Sequence, residues 1–259
     1  MKTGPGYVAV ITGANGGIGR ETARLFAEVP GIDLVLVDRP EKGHELLEFT
    51  RSLSRLGATH GYSLNNVADA AEVLKKVEYI IDIHGRIDIL VNLAGIPPQK
   101  FGPFVKTPLD QMWEVIRVNL GGTLNWCYAV LPHMRAQGYG RVINTSSIAG
   151  HRGDAGNLAY AASKAGVESI TKTLALEIPY NKDELSLDIT VNAIAPGATN
   201  TPMIKAIPPA FFEKVKARVP FKRYGRPEEI AAAIKWLACD APQYLNGAII
   251  PVDGGWSAS

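Results

Sequence analysis

The sequence predicts an α/β fold, with a doubly wound and mainly parallel seven-stranded sheet covered by helices on both faces. Short apolar runs alternate with segments of helical periodicity along the chain, as strands and crossover helices do. These runs are apolar throughout instead of alternating with polar residues, which is typical of parallel strands buried on both faces. A glycine cluster directly follows the first run, where such a fold makes a tight turn.

The apolar runs and the periodic segments give the order of the elements. Strands are predicted over Tyr7–Thr12, Ile32–Asp38, Thr59–Leu64, Ile87–Leu93, Arg141–Ser146, Asp188–Ile194 and Ala248–Val252. Helices are predicted over Gly19–Val29, Glu41–Leu56, Asp69–His84, Pro108–Val118, Asn119–Gln137, Tyr160–Ile178 and Glu228–Leu237. Ligands bind beyond the carboxyl ends of the strands in such sheets, so residues after each strand are candidate site residues.

Composition argues against several classes of partner. The chain has 259 residues, which predicts a single domain over residues 1–259. Its formal net charge of +2 is too small to predict a nucleic-acid or membrane surface. The sequence shows no apolar leader and no apolar run of ~18 residues, so we expect a cytoplasmic protein. The two cysteines predict buried free thiols, and the five histidines form no cluster that predicts a metal site.

The glycine cluster Thr12–Gly19 (TGANGGIG) lies between the first strand and the first helix. Glycines there let the backbone approach a pyrophosphate closely, and the helix N-terminus offers free N–H groups to the phosphates. The segment therefore predicts a Rossmann-like dinucleotide site, with a simple turn as the alternative.

Asp38 ends the second strand, 19 residues after Gly19. A carboxylate at that place accepts hydrogen bonds from the adenosine ribose and repels the 2′-phosphate of NADP. Arg39 is a complication, because an arginine beside the ribose can hold that phosphate instead. The glycine loop contains no basic residue, so we expect NAD as the cofactor, with NADP as the alternative.

Tyr160 and Lys164 lie four residues apart at the start of a predicted helix, and thus on one helix face. A nearby cation favours the phenolate, so Lys164 together with the positive nicotinamide ring predicts a tyrosine with a lowered pKa that serves as general acid and base. Ser147 follows a predicted strand, and its hydroxyl would hold the substrate oxygen. The adjacent Ser146 competes for that role, and turn or cap chemistry is the alternative for both serines.

Further segments extend these features along the chain, namely Asn66-Val67, Asn92-Leu93-Ala94-Gly95, Asn144–Ser147, Asn192–Gly197 with Thr201, and Val252–Gly255. With the glycine loop and Tyr160-x3-Lys164, they resemble the motifs of the short-chain dehydrogenase/reductase family, in order and over nearly the whole chain. Two positions depart from the family pattern: Leu93 replaces an asparagine, and Asn66 replaces the usual aspartate.

The resemblance implies roles for individual residues. The implied catalytic residues are Asn119, Ser147, Tyr160 and Lys164. The implied cofactor-binding residues are Gly13, Asn15, Gly17, Ile18, Gly19, Asp38, Asn66, Val67, Asn92, Ala94, Gly95, Tyr160, Lys164, Pro196, Gly197, Thr199 and Thr201. Family spacing, 13 residues before Tyr160, selects Ser147 over Ser146. The resemblance also implies that Lys164 binds the nicotinamide ribose, that Asn119 orders a water of a proton relay, and that the chain forms a homotetramer or a dimer.

The substrate is the least determined part. Family logic places a substrate lid at about residues 201–225, whose lysines and arginines either select an anionic substrate or face solvent. The candidate substrate residues are Ser147, His151, Arg152, Asn157 and Met203. We expect an oxidoreductase that moves a hydride between NAD(H) and a secondary alcohol or ketone, with a polyol, sugar-like or other small hydroxylated substrate. The alternatives are a 3-oxoacyl thioester reductase and, in another class, a non-catalytic NAD-binding sensor.

Overall fold

A computed structural model describes residues 6–53, 60–99, 101–178, 187–205 and 209–258. In these ranges the strands are β1 (Tyr7–Thr12), β2 (Ile32–Asp38), β3 (His60–Leu64), β4 (Ile89–Asn92), β5 (Tyr139–Thr145), β6 (Asp188–Pro196) and β7 (Ile249–Val252). They form one seven-stranded sheet in the order β3-β2-β1-β4-β5-β6-β7, and all its neighbouring strands are parallel. The predicted fold class is confirmed, and the sheet is entirely parallel in the described ranges.

The described helices are α1 (Gly17–Ala27), α2 (Gly43–Leu53), α3 (Ala70–His84), α4 (Leu109–Ile116), α5 (Gly122–Gln137), α6 (Ile148–Arg152), α7 (Leu158–Glu177), α8 (Pro202–Lys205), α9 (Pro209–Arg218) and α10 (Pro227–Cys239). Each of the seven predicted helices is present, and the described ends differ from the predicted ones by a few residues. Residues 54–56 of the second predicted helix and Thr59 of the third predicted strand lie outside the described residues. A π-helical segment, Arg117–Gly121, joins α4 to α5, so the helix predicted from Asn119 begins inside a wide turn. The sequence analysis did not predict α6, α8 or α9.

Two apolar clusters lie on the two faces of the sheet. Alternate residues of β1 point to opposite faces, so Ala9 and Ile11 join one cluster while Val8 and Val10 join the other. The first cluster is covered by α1, α2 and α10, and the second by α3 and α5. Burial on both faces explains why the strands are apolar throughout.

The strand order reverses between β1 and β4, and this topological switch opens a crevice at the carboxyl ends of the strands. Candidate site residues follow successive strands along that edge, namely Gly13, Asp38, Asn66, Gly95, Ser147 and Gly197. Residues far apart in the sequence therefore meet at one edge of the sheet.

Two composition-based expectations can be compared with the described residues. Both cysteines, Cys127 and Cys239, are buried free thiols, as predicted. Burial raises the pKa of each thiol to about 12. Among the helices in the described ranges, none has the length and apolar character needed to cross a membrane.

Candidate active site

The glycine loop between β1 and α1 forms a cradle that has room only for backbone. Gly13 has a φ of +65°, and a Cβ added there would lie 2.8 Å from the backbone of Ala94. A Cβ on Gly19 would lie 2.2 Å from the carbonyl oxygen of Gly13. The N-cap residue of α1, Gly16, provides no side-chain cap, so the first turn beginning at Gly17 keeps its N–H groups available. This cradle fits the pyrophosphate of a dinucleotide.

Thr12 fastens the segment after β4 to the end of β1. Its Oγ1 accepts hydrogen bonds from the backbone N–H groups of Leu93 and Ala94, both at 3.2 Å. Ala94 is thereby held against Gly13, while Ile18 and Leu93 pack on the apolar cluster below. The two strand ends on either side of the topological switch are locked together at the cleft.

Asp38 lies beside the glycine loop at the end of β2. Its Oδ2 accepts a hydrogen bond from the backbone N–H of Asn15 at 2.9 Å, and its Oδ1 accepts one from Arg39 N–H at 2.9 Å. The Arg39 side chain is largely exposed and lies 4.0 Å from Glu41. Asn15 also donates from Nδ2 to Glu45 at 2.7 Å. The surroundings of Asp38 therefore contain carboxylates as well as Arg39.

The predicted adenine contacts lie after β3. Asn66 is exposed, and its Oδ1 accepts a hydrogen bond from the N–H of Ala68 at 3.0 Å. Val67 is buried and packs closely on Gly122. Asn92 is also buried, and its Nδ2 donates to Oδ1 of Asn144 at 2.9 Å. The Asn92 side chain is thus bonded within the interior, and its contact with a cofactor stays a prediction.

The segment after β6 returns to the glycine loop. Pro196 ends β6, and Thr199 donates from Oγ1 to the carbonyl oxygen of Gly197 at 3.0 Å. A Cβ added to Gly17 would lie 2.8 Å from Cγ2 of Thr201, so this threonine contacts the start of α1. The predicted nicotinamide side of the cleft thereby borders the predicted phosphate site.

The structure distinguishes the two adjacent serines. Ser147 caps α6, with its Oγ accepting from the N–H of Ala149 at 3.3 Å, and it is hydrogen-bonded to the Tyr160 hydroxyl. Ser146 turns the other way and donates to a carboxylate oxygen of Glu168 at 2.6 Å. Of the two, Ser147 is the serine that meets Tyr160, and its catalytic role stays a prediction.

Tyr160 and Lys164 lie on the same face of α7, and the Lys164 Nζ is 5.7 Å from the Tyr160 ring centroid. That ammonium donates to the carbonyl oxygen of Thr145 at 2.8 Å. Burial raises the pKa of Tyr160, the Ser147 hydrogen bond opposes this, and Asp154 raises the pKa further. Burial lowers the pKa of Lys164 to about 8. In the chain without a nicotinamide ring, the pKa of Tyr160 is therefore raised, because desolvation outweighs the hydrogen bond from Ser147. A lowered pKa in the presence of the positive nicotinamide ring stays a prediction.

Asn119 is fully buried in the π-helical segment and joins three elements. Its Oδ1 accepts from the N–H of Ile96 at 2.8 Å, and its Nδ2 donates to the Ile96 carbonyl oxygen at 3.0 Å. The same Nδ2 lies 3.3 Å from Oγ of Ser163 on α7. A Cβ on Gly95 would lie 3.2 Å from Asn119 Oδ1 and 3.7 Å from Lys164 Nζ. Asn119 thus fixes the loop after β4 directly beside the lysine.

Known proteins resemble the chain over nearly its whole length. A family model described as enoyl-(acyl carrier protein) reductase matches residues 13–257. A 3-oxoacyl-(acyl-carrier-protein) reductase of Thermotoga maritima is 39% identical over 252 residues, covering 96% of this chain and 97% of the relative. The crystal structure of levodione reductase has a TM-score of 0.89 at 35% identity, with 98% of this chain and 99% of that one covered. NAD+-bound xylitol dehydrogenase has a TM-score of 0.87 at 30% identity, with coverages of 98% and 100%.

The chain belongs to the short-chain dehydrogenase/reductase family. It is an oxidoreductase that acts on CH–OH groups, and the family resemblance supports a nicotinamide cofactor. The family match also agrees with the order of the motifs found in the sequence.

Several predicted substrate residues of this short-chain dehydrogenase/reductase have partners within the chain. His151 Nδ1 lies 2.8 Å from Oε1 of Glu168. Arg152 donates from Nη1 to the carbonyl oxygen of Trp256 at 2.9 Å, and its guanidinium lies 5.9 Å from that ring centroid. Met203, at the start of α8, is partly exposed. The side chains of His151 and Arg152 thus contact neighbouring elements of the chain, at Glu168 and Trp256.

Asn157 lies before Tyr160 and is buried. Its Nδ2 donates to Asp154 at 3.0 Å, whereas its Oδ1 has no hydrogen-bond partner among the described residues. It lines a cavity of about 500 Å³ between α4, α6 and α7, together with Gln99, Phe104, Met112 and Ala162 among others. Ser147, Tyr160 and Lys164 do not line this cavity. The cavity adjoins Ser147, Tyr160 and Lys164, because it is lined by their neighbours Ala149, Ala161 and Ala165.

The predicted lid is described except for residues 206–208. Val219 in it is buried. Two of the lid's cations are paired: Lys216 lies 3.7 Å from Glu213, and Arg223 lies 2.7 Å from Glu229. These pairs favour the interpretation in which the basic residues lie on a solvated face.

Glu168, which lies on α7 beside the described site, is not among the residues predicted from the sequence. It follows Lys164 by four residues, as Lys164 follows Tyr160, so the same helix face carries all three. The available signal was that a charged residue continues the helix face of Tyr160 and Lys164. Its partners, at the end of β5 and on α6, became visible only in the folded chain.

Proposed function

We propose that the protein is an NAD-dependent dehydrogenase or reductase that interconverts a secondary alcohol and a ketone, with Tyr160 as general acid and base. The observation that carries this proposal is the Tyr160 hydroxyl, hydrogen-bonded to Ser147 and one helix turn from the buried Lys164. When bound, the nicotinamide ring takes up or supplies the hydride.

Tyr160 exchanges a proton with the reacting oxygen. In oxidation its phenolate takes the hydroxyl proton of the alcohol, and in reduction its phenol returns that proton to the ketone oxygen. Ser147 donates a hydrogen bond to the same oxygen and so positions it beside the phenol. Because burial raises the pKa of Tyr160 in the chain itself, the protonated form that reduction requires is favoured at neutral pH.

Lys164 and Asn119 support this proton transfer. The Lys164 ammonium is held by Thr145 close to the tyrosine, and its pKa of about 8 lets it exchange protons near physiological pH. Asn119 holds the loop containing Ile96 against α7, and so fixes the region next to Lys164 through which protons would pass. We propose that protons pass along this side of α7 between Lys164 and solvent.

The preference for NAD rests on Asp38. Its carboxylate accepts a hydrogen bond from the glycine loop, and residues 12–19 of that loop include no basic residue. The neighbouring Arg20 donates from Nε to Asn15 Oδ1 at 3.0 Å. The solved structure of NAD+-bound xylitol dehydrogenase, 30% identical to this chain, supports the same preference.

For the substrate we propose a small alcohol with further hydroxyl groups. The similarity to xylitol dehydrogenase supports this class, as does the buried Asn157 amide, whose Oδ1 has no partner within the described chain. A 3-oxoacyl thioester is the second candidate, because a 3-oxoacyl-(acyl-carrier-protein) reductase is 39% identical over nearly the whole chain. The two candidates differ in the size of the group that must enter the cleft beneath the lid.

For the assembly we propose a homotetramer or a dimer in the cytoplasm. The helices α5 and α7 carry exposed apolar side chains, including Leu124, Tyr128, Leu158 and Leu176, which a second copy would cover. Sedimentation velocity of the purified protein measures the assembly, and a monomer at micromolar concentration would contradict it.

The test of function is a turnover assay with a panel of polyols, other secondary alcohols and 3-oxoacyl thioesters, using NAD(H) and NADP(H). We expect NAD-linked turnover on one class, and a loss of about 10³-fold in Tyr160→Phe with retained NAD binding, as removal of a general acid–base predicts. Preference for NADP would contradict the role of Asp38. Turnover that survives in Tyr160→Phe would contradict the mechanism, and NAD binding without turnover on any compound would favour a sensor.

A further inference from the structure

We infer that Glu168, together with His151, is a positioning pair that sets Ser147 against Tyr160. The inference rests on the proposed function, since Ser147 and Tyr160 are the groups whose relative placement it explains. It assigns a task to a carboxylate that lies outside the predicted catalytic group.

Three groups converge on one oxygen of Glu168. Oε1 accepts a hydrogen bond from Ser146 Oγ at 2.6 Å and lies 2.8 Å from His151 Nδ1. A Cβ added to Gly150 would come within 2.9 Å of the same oxygen. α6 therefore approaches α7 as closely as it does because residue 150 is glycine and because Glu168 has a partner on each side.

The burial of Glu168 shows that these contacts matter to the fold. Only 7% of the residue is exposed, and a buried carboxylate is tolerated in a protein interior when hydrogen bonds and charges satisfy it. Lys164, one turn earlier on the same face, directs its ammonium to the carbonyl oxygen of Thr145 instead. Ser146 and His151 are the described hydrogen-bond or ion-pair partners of the Glu168 carboxylate.

Both partners flank the catalytic serine. Ser146 precedes Ser147 directly at the end of β5, and His151 lies near the end of α6, the helix that Ser147 caps. The two contacts thus hold the backbone on either side of Ser147 to α7. Since α7 also carries Tyr160, the Glu168 carboxylate, eight residues further along that helix, helps to hold the hydroxyls of Ser147 and Tyr160 in register. Ser146 Oγ also lies 3.1 Å from the carbonyl oxygen of Lys164 on α7, but Glu168 is the nearer acceptor at 2.6 Å.

The first test is the rate of turnover in single and double variants. Glu168→Gln keeps the size of the side chain and removes its charge, which weakens both hydrogen bonds. We expect kcat to fall at least about tenfold, because small displacements of reacting groups carry large rate penalties, while KM for NAD stays within about twofold. In a Ser147→Ala background the same change should have no further effect on kcat. Glu177→Gln, an exposed position at the end of the same helix, is the matched control and should behave as the wild type.

His151→Ala removes one of the two contacts and should lower kcat less than Glu168→Gln. Adding it to Glu168→Gln should cost less than the product of the single effects, because both variants act on one network. An unchanged kcat in Glu168→Gln would overturn the inference. So would an equal loss in the Ser147→Ala background, or a weakened affinity for NAD, since either would indicate a general structural role.

A second readout does not depend on turnover. The 13Cζ resonance of Tyr160, assigned by its absence in Tyr160→Phe, reports the hydrogen bond between Ser147 and the phenol. We expect this resonance to move in the same direction in Glu168→Gln and Ser147→Ala and to stay in place in Glu177→Gln. If no substrate is turned over, the proposed function fails, yet this resonance still decides the positioning role. A resonance that moves in Ser147→Ala but not in Glu168→Gln would overturn it.

Discussion

Lys164 has a proposed role in proton transfer, and the burial of its charge lowers the stability of the folded protein. It is buried beside Tyr160, and the Thr145 carbonyl oxygen is the hydrogen-bond partner found for its ammonium in the described structure. Burial lowers its pKa from 10.5 to about 8, so the folded protein disfavours the charged form. A group suited to proton exchange near neutral pH is therefore one that destabilises the fold while it is protonated.

The pH dependence of unfolding tests this cost. Between pH 8 and 10.5 the unfolded chain binds more protons at Lys164 than the folded chain does, so the free energy of unfolding rises with pH there. The penalty is complete below pH 8, and its size is on the order of 3 kcal/mol. Urea unfolding of wild type and Lys164→Met at pH 7 and pH 10 should show a rise in the wild type that the variant lacks. Equal pH dependence in both proteins would contradict the lowered lysine pKa.

Asp38 carries the predicted choice of cofactor, and Asp38→Ser removes its charge. We expect the KM for NADP to fall at least about tenfold, since a like charge about 4 Å from the phosphate costs roughly 1–4 kcal/mol. The affinity for NAD should fall as well, because the ribose loses an acceptor. Asp33→Asn, on the same strand, is the control. An NADP preference already present in the wild type, or no change in the variant, would assign the choice to another residue such as Arg39.

The site residues that were predicted belong to short sequence motifs, whereas the missed residue makes its contacts with distant parts of the sequence. Tyr160 and Lys164 share one helix turn, and the glycine loop is contiguous, so each could be recognised as a motif, and their order along the chain with the other motifs singled them out. Glu168 meets Ser146 and His151 across a strand end and two helices, and no periodicity in the sequence encodes that contact. The raised pKa of Tyr160 was missed for a similar reason, because burial is a property of the folded chain.

At the scale of elements, α1 and the loop before it form one unit. The loop folds back so tightly that Gly19 in the helix faces the carbonyl oxygen of Gly13 at its start. Gly19→Ala would place a Cβ 2.2 Å from that oxygen, which the backbone can relieve only by opening the loop. We expect NAD affinity to drop at least tenfold and the free energy of unfolding to fall by about 1–3 kcal/mol, as overpacking does.

Isothermal titration with NAD and thermal unfolding measure both effects. Gly61→Ala on β3 is the control, because its added Cβ would have its nearest neighbour 4.0 Å away. NAD affinity that survives in Gly19→Ala would show that the loop does not hold the pyrophosphate in the closed form described.

Element prediction succeeded where length and periodicity were strong. All seven strands and seven of the ten described α-helices were recognised, since each has enough residues to show a period of two or 3.6, or a continuous apolar run. α9 was not recognised, although its ten residues make it longer than α4 with eight. α6 has five residues and α8 has four, too few for any period to be visible. The π-helical segment that places Asn119 depends on packing between α4, α5 and α7, which the sequence pattern does not display.

At the scale of the whole molecule, the carboxyl and amino ends of the parallel strands, which form two opposite edges of the sheet, carry different groups of residues. The carboxyl edge gathers the glycine loop, Asp38, Ser147 and Tyr160, whereas the amino edge holds a charged cluster around Asp88. That aspartate is fully buried, accepts a hydrogen bond from the N–H of Val8 at 2.8 Å and binds Arg86 through both of its oxygens. The cluster joins β1 to β4, the same strands that open the cleft at the opposite edge.

Asp88→Ala therefore separates stability from chemistry. The buried Val8 N–H loses its acceptor and Arg86 its partner, so we expect the free energy of unfolding to fall by about 3 kcal/mol. Below the lowered Tm, kcat and KM for NAD should match the wild type, because the strand ends at the cleft remain tied by Thr12, Leu93 and Ala94. Asp82→Ala, at an exposed position on α3, is the control and should stay within about 0.5 kcal/mol. A proportional loss of kcat in Asp88→Ala would instead mean that the amino edge sets the geometry of the cleft across the full length of β1 and β4.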